Sequence, residues 1–161
     1  MQLLPDIAAP ERREAAGKLL AREPGLTLEQ ISEMADAALR VLDDPVFAAV
    51  FGPGSRAEVA LAGTSPRLPG GLAVSGRMDR LVVEDGRVLV VDYKTNRPAP
   101  DDLAAVDPVY LAQMATYWAV LEEIFPGRRI EAALVWTDGP KLMPVPENLL
   151  LNALDEVARS G

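Results

Sequence analysis

Two aspartates and a lysine stand out in the stretch Ser75–Pro98, SGRMDRLVVEDGRVLVVDYKTNRP. Asp79 lies on one side of the dipeptide Asp85-Gly86, and Asp92 and Lys94 lie on the other. Asp-Gly between two apolar runs is the strongest short-range signal for a hairpin. Counting outward from a two-residue loop pairs Glu84 with Arg87, Val83 with Val88, Leu81 with Val90, Asp79 with Asp92 and Arg77 with Lys94. Alternation then places these side chains on one sheet face, apolar beside the turn and charged at the far end. Facing carboxylates with Cβ atoms roughly 4.5–5.5 Å apart destabilise a hairpin. A divalent cation would compensate them, and Lys94 would overhang the same spot.

A surface hairpin with solvated charged ends is the simpler alternative. Against it, both faces near the turn are apolar: Val82, Leu89 and Val91 on one, Leu81, Val83, Val88 and Val90 on the other. Strands buried on both faces are central strands. Two aspartates and a lysine at the end of central strands are costly without a ligand. The spacing predicts central strands over Gly76–Val83 and Val88–Thr95.

The remaining composition narrows the chemistry. The 161 residues suffice for one domain with a core. There is no Cys, hence no disulfide, thiolate nucleophile, iron–sulfur cluster or thiolate zinc site. There is no His, hence no Ser-His-Asp chemistry and no imidazole ligand from this chain. Any metal is held by oxygen, which favours Mg²⁺ or Mn²⁺. The net charge of −8 argues against capture of nucleic acid by a broad basic surface. No apolar run spans a bilayer and the start lacks the pattern of a signal peptide, so a cytoplasmic location without membrane partners is expected.

The elements that must position the charged cluster follow from periodicity and caps. Residues 1–52 are expected to form a helical segment, and 53–161 the core. Helices are predicted from Pro10 to Glu23, from Thr27 with a capping-box Gln30, and from Pro45 to Phe51. Leu28, Ile31, Ala35, Ala38 and Leu42 would form the buried face of the second. Gly52-Pro53-Gly54-Ser55-Arg56-Ala57 follows a helix and precedes a strand, the reverse of a dinucleotide fingerprint, and is a turn. Arg56–Ala62, carrying Glu58, is the first strand. A polar loop, Asn96–Val106, leads to a helix from Asp107-Pro108 to Phe125 that is apolar almost all round and therefore buried. Tyr110, Gln113 and Tyr117 form a polar-tipped stripe along it. Ile130–Trp136 is a fourth strand, turned by Asp138-Gly139 into a short fifth at Lys141–Met143. Glu147–Ala158 closes the chain as a helix, with Leu149, Leu150, Ala153, Leu154 and Val157 inward.

The series Gly76-Arg77-Met78-Asp79-Arg80, then Asp92-Tyr93-Lys94-Thr95, then Gln113 and Tyr117 one helical turn apart resembles the motifs of the PD-(D/E)XK nucleases, specifically their RecB-type domain. Within that group the chain is most similar to the C-terminal end of AddA-type helicase–nuclease subunits. The resemblance covers nearly the whole chain. It implies an α/β, restriction-endonuclease-like fold: a central mixed sheet of four to five strands flanked by helices, after the N-terminal helical segment. It implies Mg²⁺-dependent hydrolysis of DNA, with exonuclease action in double-strand break repair and recombination. Asp79 and Asp92 would bind the metal together with the main-chain carbonyl of Tyr93. Lys94 would position or activate water, Gln113 and Tyr117 would line the site, and Glu58 would be an accessory acidic group. The implied partners are DNA, an ATP-dependent helicase portion of the same full-length chain and an AddB-type subunit. Relatives carry a metal-ligating His on a helix just upstream of a segment like Gln2-Leu3-Leu4-Pro5. On that comparison the chain is expected to be a fragment, folded but nearly inactive alone. A non-catalytic, nuclease-like binding module is the competing reading, disfavoured because both aspartates and the lysine are present.

Overall fold

The computed structural model of the protein describes residues 4–52, 54–137 and 141–160. Five strands form one mixed sheet in the order β1-β2-β3-β4-β5. They are β1 (Ser55–Gly63), β2 (Val74–Val83), β3 (Arg87–Lys94), β4 (Arg129–Trp136) and β5 (Lys141–Val145). Among the described residues four α-helices pack around the sheet: α1 (Arg12–Leu20), α2 (Leu28–Asp43), α3 (Pro108–Ile124) and α4 (Glu147–Ser160).

The hairpin forms in the expected register. Glu84 N–H donates to Arg87 O at 2.9 Å across the two-residue loop, and Val83↔Val88, Leu81↔Val90 and Arg80↔Val91 pair as counted. β2 is antiparallel to β1 and β3, whereas β3 and β4 run parallel, with α3 as the crossover between them. β5 returns antiparallel to β4. The turn expected at Asp138-Gly139 lies outside the described residues.

The two sheet faces are buried by different helices. Leu81, Val88 and Val90 pack with Met114, Trp118 and Leu121 of α3 and Leu150 and Leu154 of α4. Val82, Leu89 and Val91 pack on the opposite side with Val41, Phe47 and Val50. Ala35 and Leu42 of α2 meet Leu4 and Ala16 in a small outer cluster. α2 thus joins the α1 layer to the sheet.

Several expectations from the sequence are corrected. The Thr27 capping box forms, with Gln30 N–H on Thr27 Oγ1 and Thr27 N–H on Gln30 Oε1. The apolar face of α2, however, begins after Leu28, which is the first helical residue and is 85% exposed. The third helix shrinks to a 3-10 turn over Pro45–Phe47, capped by Asp44. Phe47 and Val50 both enter the core, brought together by the turn in which Val50 N–H donates to Phe47 O at 2.8 Å. α3 is buried from Met114 to Leu121 but exposes Val109 and Ile124 in its first and last turns. Val106, assigned to a polar loop, is a core residue.

The chain enters β1 hard against the end of the hairpin: Val83 N–H donates to Gly54 O at 3.0 Å. A Cβ at Gly54 would collide with the Val83 carbonyl oxygen, a backbone atom that cannot swing aside. Gly54→Ala is expected to lower stability by roughly 1–3 kcal/mol, as overpacking does. Urea unfolding followed by circular dichroism measures the change, and an unchanged midpoint would show that β1 shifts freely.

Candidate active site

The β2–β3 ladder ends at Arg80↔Val91, so neither the expected Asp79–Asp92 pair nor the expected Arg77–Lys94 pair forms. Asp79 causes the break. Its Oδ2 accepts the Tyr93 N–H at 2.8 Å, replacing the main-chain acceptor that the next rung of the ladder would provide. Beyond that point β2 continues on β1, with Arg77 opposite Ala60, and β3 continues on β4, with Lys94 opposite Trp136. The strands part, and the candidate side chains gather where they separate.

Asp92 and Lys94 alternate onto the face of β3 covered by α3. Asp92 is 6% exposed, and the Lys94 ammonium stands 2.5 Å from its Oδ2. The same ammonium donates to Gln113 Oε1 at 3.0 Å. Gln113 Nε2 reaches Tyr117 Oη at 3.4 Å, and Tyr117 Oη reaches the Arg77 carbonyl at 3.4 Å. One polar chain therefore runs from Asp92 on β3 through α3 to β2. Gly76 makes room for it: a Cβ there would lie 2.9 Å from Tyr117 Oη.

Burial pushes the Asp92 carboxyl above its ordinary range; Lys94 opposes the shift, while the Asp79 carboxylate adds to it. The Asp79 carboxylate is held beside Asp92 through the main-chain N–H of the next residue, Tyr93. Glu58 stands opposite Asp79 by register, yet that rung is missing between Ala57↔Arg80 and Val59↔Met78. Its backbone is left-handed, at φ 54°, an uncommon conformation for a glutamate in a strand. Its side chain pairs with Arg77 at 3.1 Å. Among the described residues no three His, Cys, Asp or Glu side chains are grouped to hold a metal.

Two contributors escaped sequence reasoning. Tyr110 places its ring 4.0 Å from the Lys94 ammonium; the stripe with Gln113 pointed to it, but nothing indicated the contact. Arg80 is fully buried on the other face, donating to Ser55 Oγ at 2.7 Å and lying over the Phe51 ring. In sequence it reads as one more charge at the charged end of the hairpin.

The sequence profile of the PD-(D/E)XK nuclease superfamily matches residues 3–156. No curated protein matches the chain. A solved structure described as "Crystal structure of SSO0001" aligns at 13% identity and a TM-score of 0.38, covering 92% of this chain and 84% of that one.

The raised Asp92 carboxyl has a consequence for metal-free protein. The folded state binds its proton more tightly than the unfolded state, so Asp92 weakens folding as pH rises through the interval above the carboxylate's ordinary value of 3.8. Asp92→Asn is expected to be at least as stable as the parent at neutral pH, with any advantage fading toward about pH 4. Thermal melts in EDTA across that range test this. A large loss in the Asn variant at neutral pH would make Asp92 a stabilising group.

Proposed function

The chain belongs to the PD-(D/E)XK nuclease superfamily, and from that premise we propose that it hydrolyses DNA phosphodiester bonds at the parting of β2 and β3, using Mg²⁺ or Mn²⁺. The observation that carries the reading is the polar chain from Asp92 through Lys94 and Gln113 to Tyr117, with Asp79 against its acidic end.

The donor set fits a hard divalent cation. Two neighbouring carboxylates, one buried and pushed toward its neutral form, are relieved by a positive charge between them. Mg²⁺ accepts few protein ligands because it keeps much of its water. Asp79, Asp92 and the main-chain carbonyl of Tyr93 would hold it, with Glu58 as an accessory group once released from Arg77. When bound, the ion supplies Lewis-acid stabilisation of charge on the phosphoryl oxygen.

The chain's own residues supply the rest. Lys94 presents a fixed positive charge beside the attacking water and the phosphate, where negative charge develops. Gln113 and Tyr117 keep the ammonium aimed and offer polar tips to the nucleic-acid backbone. With a net charge of −8 the domain repels DNA at long range. An ATP-dependent helicase of the AddA type in the same full-length protein, with an AddB-type partner, would deliver the strand for exonucleolytic cleavage in double-strand break repair. The order and spacing of the sequence motifs support that narrower assignment.

At high protein concentration, linear DNA is expected to be cut slowly with Mg²⁺ or Mn²⁺ and not with EDTA. Asp92→Ala and Lys94→Ala should each lower the rate by on the order of a hundredfold or more. DNA that is bound but never cut, or cut equally well by Lys94→Ala, would replace the nuclease with a binding module or a contaminant.

A further inference from the structure

We propose that Tyr110 is a positioning residue for Lys94, holding the ammonium group in place with the face of its ring. The kinetic part of this inference rests on the nuclease reading above; the geometric part does not.

An ammonium group has three N–H donors and no acceptor. Two of Lys94's directions are taken by Asp92 Oδ2 at 2.5 Å and Gln113 Oε1 at 3.0 Å. The Tyr110 ring centroid lies 4.0 Å from the same nitrogen, well inside the range in which a ring face attracts a cation. Only 11% of the lysine side chain is exposed, so the attraction acts where water screens it little.

The ring is itself fixed, which separates a support from a chance neighbour. Tyr110 sits in the first turn of α3, where Asp107 caps the helix by accepting the Val109 N–H at 2.9 Å. Its hydroxyl donates to Asn96 Oδ1 at 3.0 Å, two residues beyond Lys94. Its ring meets that of Trp136 at 6.2 Å, tilted by 57°. Trp136 is the residue registered opposite Lys94 on β4, and it is buried. The lysine, the ring over it and the indole against the ring form one packed group. Without the ring, the flexible four-carbon stem keeps two polar contacts and loses the wall that stops it swinging off Asp92.

Side-chain NMR and single-turnover cleavage test the proposal together. In the wild-type protein the Lys94 Hε signals, identified by their loss in Lys94→Arg, should be shifted upfield by the ring. The shift should persist in Tyr110→Phe and collapse in Tyr110→Leu. At saturating DNA, Tyr110→Leu should cut roughly tenfold more slowly, with the half-saturating DNA concentration little changed, while Tyr110→Phe stays near wild type. Unshifted Lys94 signals in folded wild-type protein would overturn the proposal even if the leucine variant fails to fold. So would a leucine variant that loses the shift yet cuts at the wild-type rate. If the shifts behave as expected but wild-type protein cuts no DNA, the positioning role stands and the nuclease reading falls.

Discussion

The hydrogen bond from Tyr93 N–H to the Asp79 carboxylate decides the shape of everything around it. A main-chain N–H in the interior of a sheet needs an acceptor. Had that acceptor been the next carbonyl of β2, the hairpin would have continued and its outer end would have been a closed ribbon. A side chain takes the place of the rung instead. β2 and β3 then follow different neighbours, and the wedge between them admits Gln113 and Tyr117 from above.

Within the wedge, stability and function pull in opposite directions. Asp92 and Lys94 form an ion pair with little exposure on either side. Removing two charges from water costs more than a single contact returns, unless further hydrogen bonds satisfy them. Gln113 and Tyr110 provide part of that compensation to the lysine, but the aspartate still has its carboxyl pushed upward by burial and by Asp79. Such a cluster is poor material for a stable core. The surrounding apolar layers, from Val88 and Val90 through Trp118 and Leu121, make it tolerable.

The hairpin register was legible because two signals agreed: the Asp-Gly turn fixed the count, and apolar residues on both faces required a central position. The motif series was legible for the same reason, since each member had a predictable place on a strand or helix. The parting of the strands was not legible. It depends on a side chain acting as a main-chain acceptor, which alternation does not encode. Burial of Arg80 was hidden because its partners, Ser55 and Phe51, come from a distant turn. The left-handed Glu58 left no mark either, since nothing near it calls for such a backbone.

The parallel pairing of β3 with β4 also governs the order in which the molecule can assemble. A two-residue turn closes β2 on β3 locally and quickly, whereas a parallel partner arrives only after a helical crossover. Lys94 meets Gln113 nineteen positions later in the chain, and Tyr117 reaches forty positions back to Arg77. A nascent chain that has emerged only as far as Thr95 therefore holds Asp79, Asp92 and Lys94 without the helix that buries them, so their charges remain in water. Desolvation of the cluster waits until α3 docks and β4 closes the sheet. The hairpin that carries the charges can thus close well before the chain that shields them from water is complete.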